Sequence, residues 1–532
     1  VKVDAVVIGA GPNGLIAANH LADAGWDVVV CEEQPEPGGA VRSGEVTAPG
    51  FVHDLYSAFY PLTLASRYIK PLELESYGLN WLSAKGVVAH PSADGRCALL
   101  SMDLDETCDS LDAFAPGDGD SWRRLFGLWR KAGPHLVGAL LTPMPPVRPG
   151  LGMLNALGPR GLADFARFSL LPARRMAEEE FGGEGGGWLI AGNALHADLT
   201  PDSSGGGLFG WVLCGLGQQH GYPVAEGGAG EITAALVRRL RAKGGEVLCE
   251  TPIERIEVRG RRARAALTAD GRRFEAKRAI LADCGAPALM LKMLPPDAVP
   301  ERVREDLRRY QYDNSTFKVN WALREPIPWT AEAARRASTV HVAEGMDELT
   351  QATVQLAERK VPARPFLVLG QYSMVDPSRH PEGMESAWAY THVPQSPLSD
   401  AGEEGLRGDW DGEDAERFAD RMEEQVERMA PGFRSRIISR HVQTPLYLER
   451  QNRNLVGGAI NGGTAQLYQQ AIFRPYPGLG RPTTPVRGLY LASSSAHPGG
   501  GLHGGPGGNA ARTALKTERA RSVFQLGSSR AK

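Results

Sequence analysis

Long apolar runs, cysteine pairs and a surplus of either charge are all missing from this chain. No stretch reaches about 18 uninterrupted apolar residues, so a membrane-spanning helix is not expected. Six cysteines, at 31, 97, 108, 214, 249 and 284, fall in no CxxC or zinc spacing. That excludes a disulfide-stapled fold, gives no metal site, and points to buried thiols in a reducing compartment. With 59 Lys and Arg against 62 Asp and Glu the net charge is −3, which offers no electrostatic case for nucleic acid. No signal-peptide pattern opens the chain, and no repeat of a solenoid's period is present. The expectation is a cytoplasmic protein, and 532 residues at 42% hydrophobic suffice for two lobes. Glycine is the residue in excess, at 64.

The first glycines have a physical use. Ala5–Ile8 is apolar on both faces, as in a buried parallel strand. Gly9-Ala10-Gly11-Pro12-Asn13-Gly14 follows, then a helix predicted over Leu15–Ala24 with Gly25 at its end, a strand over Asp27–Cys31, and Glu32. This is a dinucleotide fingerprint in its proper context. Gly9 allows the tight turn, Gly11 lets the backbone approach a pyrophosphate, and Gly14 lets helix and strand pack closely. Phosphates then meet free N–H groups at a helix N-terminus. Glu32 suits ribose hydroxyls and repels a 2′-phosphate. A second glycine pair, Gly38-Gly39, lies just past the acid. It favours FAD, extended across the fold, over a nicotinamide. The cofactor-binding candidates here are Gly9, Gly11, Pro12, Asn13, Gly14, Glu32, Glu33, Gly38, Gly39, Ala40, Val41 and Arg42.

Further along, a helix over Glu231–Lys243 precedes strands at Glu246–Cys249, Ile253–Val258, Arg262–Leu267 and Arg272–Ala276, with a tight turn at Asp270-Gly271. Thr316–Leu323 alternates, Phe317, Val319, Trp321 and Leu323 against Lys318, Asn320 and Ala322. Phe366–Leu369 and Ala387–Tyr390 read as strands, Phe418–Met429 as an amphipathic helix, and Gly402–Glu413 as an exposed loop. Leu489–Leu491 is a last buried strand before a glycine-dense loop and a helix from Asn509. The Leu151–Ala173 segment, rich in Leu, Phe and Arg, suits either core packing or a lipid-facing entrance. The second use would attach the protein peripherally to the inner face of a membrane.

The blocks Asp4–Gly39, Gly50–Asp54, Gly221–Gly228, Phe317–Leu323, Asn454–Gly458 and Gly488–Ala511 occur in the order of one family. The sequence resembles the FAD-dependent phytoene desaturase-like oxidoreductases, relatives of the flavin amine oxidases. The resemblance implies an α/β, two-lobed fold of glutathione-reductase type with a mixed α+β substrate domain. Its FAD domain would be discontinuous, residues 1–75, 218–290 and 480–522, with 76–217 and 291–479 forming the substrate domain. The tail 523–532 reads as disordered. Lys318 looks like the strand lysine that, in the amine oxidases, reaches a water beside flavin N5. Ile253 matches a position that holds adenine by its backbone. Arg42 stands two residues past the usual arginine, where Ala40 lies instead, and Ser494 replaces a common acid. No cysteine follows Cys284, so a C-terminal cysteinyl-flavin bond is excluded.

The residues themselves suggest the rest. Ser493 and Ser494 offer hydroxyls to the cofactor. A helix starting near 502–504 would aim its dipole at the flavin, which adds Gly501, Leu502 and His503 to the binding candidates. His53 beside Asp54, His497 and His503 are candidate general bases, and Lys318 is the catalytic candidate whose cation would order a water, help O2 reduction or stabilise reduced flavin. The leading expectation is desaturation or dehydrogenation of a large apolar substrate, an isoprenoid, polyene or polyketide, with O2, a quinone or a carrier protein as acceptor. The alternatives are an amine oxidase with an aromatic cage drawn from residues such as Tyr390 and Tyr468, a redox-neutral isomerase or cyclase, and a flavin-dead binding protein.

Overall fold

A computed structural model describes residues 1–410, 412–478 and 480–530, with side chains through 522. The opening residues form β1 (Lys2–Ile8), α1 (Pro12–Asp23) and β2 (Val28–Cys31). The helix starts three residues earlier than the apolar pattern indicated, because Pro12 suits a first helical turn that needs no N–H there. β1 lies in a seven-stranded sheet ordered Ile253–Arg259, Arg262–Thr268, Arg273–Ala282, β1, β2, Glu246–Leu248, with Leu489–Leu491 pairing Arg273–Ala282. Its centre is parallel: β1 runs beside β2 and beside the end of Arg273–Ala282, which Leu489–Leu491 flanks on the other side. Strands from the start, middle and end of the chain thus close one sheet.

Arg273–Ala282 is six residues longer than the sequence pattern reached at its C-terminal end. Its first part pairs antiparallel with Arg262–Thr268 as a hairpin, and its second part crosses into the parallel sheet. Lys277 and Arg278 interrupt the alternation at the crossover, where Arg278 is partly exposed and bonds Asp4. The extension matters, since it delivers Asp283 to the glycine turn.

A second seven-stranded sheet has the order Ile437–Gln443, Ser315–Leu323, Glu385–Val393, Leu367–Gln371, Ala337–Val342, Gly86–Pro91, Cys97–Ser101. Ser315–Leu323 is buried on both faces, not on one. Phe317, Val319 and Trp321 pack with Phe418 and Met422 of the helix Gly412–Met429. The other face, with Lys318 and Asn320, turns inward to a helical layer. Two of those helices, Gly185–Ala194 and Gly206–His220, are almost wholly buried. Glycine lets them touch: a Cβ on Gly210 would collide with the Ile190 carbonyl.

Most of the Leu151–Ala173 segment belongs to a longer helix, Val147–Leu170, interrupted at Gly158 with φ of 70°. The last helix starts at Gly505 and runs to Arg530. The expected tail, 523–532, falls on residues outside the described side chains.

Candidate active site

The glycine turn is built as its chemistry requires. Gly9 has φ of +92°, a conformation that side chains resist. A Cβ on Gly14 would strike the Gly9 carbonyl, and one on Gly11 would lie 2.7 Å from Asp283 Oδ2. Glu32, buried at the end of β2, accepts hydrogen bonds from the Ala10 N–H at 2.6 Å and the Gln34 N–H at 3.0 Å. Burial raises its carboxyl above the usual range, and those N–H groups oppose the rise. Glu33 pairs with Arg453 at 3.4 Å. The second glycine pair folds onto the first: a Cβ on Gly39 would sit 3.1 Å from the Gly11 Cα. Val41 is buried and its carbonyl accepts from Thr233. The carbonyl of Asn13 lies against Gly507, so the N-termini of α1 and of the last helix converge. Asn13 Oδ1 is buried without a partner. A cradle free of Cβ atoms, two helix N-termini and an orphaned amide oxygen fit an extended dinucleotide with a pyrophosphate.

Ile253 opens its strand two residues past Thr251, whose N–H donates to the Glu32 carbonyl at 2.7 Å. Arg42 turns back on the glycine pair, donating to the Gly39 carbonyl at 3.2 Å and to the Tyr56 hydroxyl at 2.7 Å. The Ser493 hydroxyl is buried against Ser495 Oγ at 2.7 Å, and the Ser494 carbonyl accepts from Arg474 at 2.8 Å.

Asp283 was not legible in the sequence. Its Oδ2 accepts from the Gly14 N–H at 2.8 Å, so a carboxyl stands where phosphate charge is expected. Burial pushes it well above the ordinary range, the Gly14 N–H opposes that, and Glu32 adds to it. A bound pyrophosphate would raise it further. FAD affinity is therefore expected to be fullest at low pH and to fall as pH rises through this titration, by up to about tenfold per pH unit for one linked proton. Asp283→Asn should flatten that slope, as read by FAD fluorescence titration from mildly acid to mildly alkaline buffer.

Beside the cradle lies a cavity of about 620 Å³, walled by Ala40, Tyr56–Leu62, Lys318, Trp388, Tyr390 and Gly499–His503 among others. Most of its remaining wall is aliphatic, from Leu136 and Leu140 to Leu208 and Leu213. Lys318 is 2% exposed. Its ammonium donates to the carbonyls of Asp54 and, at 3.3 Å, Tyr56, and lies 5.1 Å from the Trp388 ring centre. Burial pushes it down to about 7, against the pull of the Asp54 carboxylate. Asp54 is locked in turn by Arg379 at 2.7 Å and the Tyr372 hydroxyl at 2.5 Å.

The candidate histidines separate. His53 is not brought to the cavity: it is fully buried, its Nε2 bonds Thr47 at 2.8 Å, and burial pushes it down to about 3. Here the His-Asp pair serves packing, because Asp54 turns to Arg379. His503 lies on the wall, but its Nδ1 accepts from the Gly505 N–H at 3.0 Å and its Nε2 donates to the Gly500 carbonyl at 3.0 Å. No lone pair is left for a substrate. His497, also on the wall, donates from Nε2 to the Thr142 carbonyl at 3.1 Å, and its Nδ1 is sealed. Burial holds both near 4. Tyr390 lines the cavity beside Trp388, rings 6.2 Å apart and 13° from parallel. Tyr468 is exposed and bonds Gln311, so no cage pairs it with Tyr390. Arg474, missed in the sequence, is 1% exposed and clamps the carbonyls of Asn461, Thr464 and Ser494, bracing the glycine-dense loop.

A family model for flavin-containing amine oxidoreductases matches residues 13–506. The chain belongs to that family. It is a flavin-dependent oxidoreductase, and flavin is the cofactor that the cradle fits. Among curated relatives, the rat "pyridine nucleotide-disulfide oxidoreductase domain-containing protein 2" (Rattus norvegicus) is 27% identical over 97% of this chain and 94% of its own. A lycopene-forming phytoene desaturase from Pseudescherichia vulneris is 25% identical over 94% and 96%. The fold is shared with the cyclohexylamine oxidase of Brevibacterium oxydans, at TM-score 0.61 and 16% identity over 98% of this chain and 100% of that one.

Proposed function

We propose that this oxidoreductase holds FAD non-covalently and takes hydride from a C–H of a large, neutral, apolar substrate, an isoprenoid, polyene or polyketide. The character of the cavity carries the reading. Its wall is largely aliphatic and aromatic, and among the described residues lining it there is no carboxylate, only the cations Lys318 and Arg474. A protonated amine would enter without a counter-charge, against the charge of Arg474 and, below about pH 7, that of Lys318 as well. The neighbouring Trp388 and Tyr390 rings favour amine oxidation as the second reading, but they suit a polyene equally.

When bound, the flavin supplies the hydride acceptor. Glu32 would hold the ribose hydroxyls, the turn from Gly9 to Gly14 the pyrophosphate, and the 499–503 loop one edge of the ring system. Lys318 would orient water or substrate at the cavity wall, and the N-terminus of the last helix would favour negative charge on a bound cofactor. The FAD domain is assigned to 1–75, 218–290 and 480–522, supported by strands of one sheet coming from all three segments. Purified protein should be yellow, and anaerobic phytoene should bleach it while cyclohexylamine leaves it oxidised. Bleaching by the amine alone would overturn the reading. Reoxidation by O2 against a soluble quinone then separates the acceptors.

No described helix is long and apolar enough to cross a membrane. Exposed Val147, Leu151 and Leu170 lie on the helix that follows Met144, while Ile472 and Phe473 are exposed after Leu467; Met144 and Leu467 both line the cavity. The two segments meet where the Met144 N–H bonds the Gly480 carbonyl and Gly480 packs on Ala471. This apolar rim supports peripheral attachment to a bilayer at the cavity mouth. Phosphatidylcholine–phosphatidylglycerol vesicles should float the protein, and Leu151→Glu with Phe473→Glu should abolish flotation. Equal flotation of the double variant would count against it.

A further inference from the structure

Three imidazoles lie on the cavity wall, and two of them, His497 and His503, have no nitrogen left for a ligand. The third is His196. Its Nε2 is 2.8 Å from Nε2 of His341, and among the described residues no group bonds its Nδ1. That Nδ1 is also absent from the sealed, unpartnered atoms, and His196 is only partly buried. It is therefore a polar atom open to a cavity whose surroundings are apolar.

The pairing fixes what this atom offers. His341 is fully buried, and its Nδ1 is pressed against Gly192, where even a Cβ would collide with the ring. That nitrogen has no partner. A sealed N–H is rarer in proteins than a sealed lone pair. His341 thus carries its proton on Nε2 and donates to His196 Nε2, which leaves the His196 proton on Nδ1, facing the cavity. Both rings stay neutral: burial pushes His196 down to about 3 and His341 well below the ordinary range. The titratable groups around the pair are His392 beside His196 and His90 beside His341, with the phenols of Tyr222 and Tyr390. No charge competes for the donor.

The sheet register gives the place of its partner, His341. Lys318 stands opposite Tyr390, Tyr390 opposite Val368, and Val368 opposite His341. Residues opposite one another share a face, so His341 lies three strand spacings from Lys318, about 14 Å along one row.

We propose that His196 Nδ1 is an anchoring subsite for an oxygen function, hydroxyl or carbonyl, carried by the apolar substrate at the end remote from the C–H that reacts near Lys318. The inference rests on the cavity being the substrate site of the flavin enzyme. It ranks an oxygenated substrate above a bare hydrocarbon, because a hydrocarbon would bury the Nδ1–H unpaired. His341 is a positioning residue that holds the tautomer.

The flavin-loaded protein is titrated with farnesol, farnesal and the hydrocarbon farnesene, following tryptophan fluorescence, which Trp388 on the wall makes sensitive, and the flavin absorbance. Wild type should bind the two oxygenated probes about tenfold more tightly than the hydrocarbon, as one hydrogen bond to a buried donor allows. His196→Leu should remove that preference, and His196→Gln, which retains an N–H, should keep part of it. An unchanged preference in His196→Leu, or none in wild type, overturns the proposal. Should His196→Leu fail to fold, ¹⁵N-histidine spectra of the wild type decide: farnesol must shift an Nδ1 resonance that farnesene leaves unmoved, and identical spectra overturn the proposal. A colourless protein that binds no probe would instead signal failure of the flavin reading itself.

Discussion

Glu32→Arg protein is expected to purify colourless, with its flavin content reduced to a small fraction of wild type. The wild-type carboxylate accepts two backbone N–H groups, from Ala10 and Gln34, and in the proposed complex shares its remaining lone pairs with ribose hydroxyls. Arginine reverses each element of this. It has no acceptor, so both N–H groups lose their partner at roughly 1–3 kcal/mol each. It also places an unpaired guanidinium in a position 6% exposed. Loss of the charge-assisted hydrogen bonds to the ribose, about 3 kcal/mol together, amounts to a factor of more than a hundred in retention. Circular dichroism would separate a folded, empty protein from a collapsed one. Glu32→Gln gives a milder control, since its amide oxygen still accepts one N–H while its charge is gone. A fully flavinated Glu32→Arg protein would refute the ribose role.

Replacing Lys318 with methionine should slow flavin reduction or reoxidation by at least about tenfold, equivalent to about 1.4 kcal/mol of barrier. Methionine keeps much of the side chain's volume, so the cavity wall stays filled, but the cation is lost. The pH profile carries a second signature. Burial brings the ammonium down to about 7, so Lys318 is charged below that pH and neutral above it. A step that uses the cation is fastest on the acid side and declines as pH rises through about 7, and Lys318→Met should lose that limb. Asp54, which raises the lysine, and His53 and His441, which feel its charge, are the titratable groups around it. The two histidines are held neutral by burial, so the limb belongs to Lys318. Stopped-flow absorbance over that range is the measurement, with melting temperature as the control for folding. Unchanged rates would reduce Lys318 to a strut between the Asp54 and Tyr56 carbonyls.

The cofactor lobe was largely legible because its constraints are local. A buried strand, a glycine turn, a helix and an acid follow one another within 32 residues, each with its own chemical signature. What was hidden depends on partners far along the chain. Asp283 looks like an ordinary polar residue until the strand before it is extended through Lys277 and Arg278 into the parallel sheet. His53-Asp54 has the look of a base and its orienting acid, and only Arg379 and Tyr372, more than 300 positions away, show that the acid serves a buried ion network. His196 and His341 meet across 145 positions, and neither stands in a motif. Ser315–Leu323 alternates as a half-exposed strand does, yet its polar face is buried too, with the Asp54–Tyr56 segment and Trp388 packed on Lys318, which is why Lys318 titrates so low.

The convergence of α1 with the final helix also sets an order of events during synthesis. The glycine turn leaves the ribosome long before the strand that flanks its sheet and the helix that presses on Asn13, which come from residues 489–511. The long chain between residues 14 and 489 must emerge before the cofactor has a finished place to sit, a contact of very high sequence separation and slow closure. A chain cut short before residue 489 would carry an intact fingerprint and still fail to load flavin. Yellow colour therefore reports translation carried through to the last strand and helix.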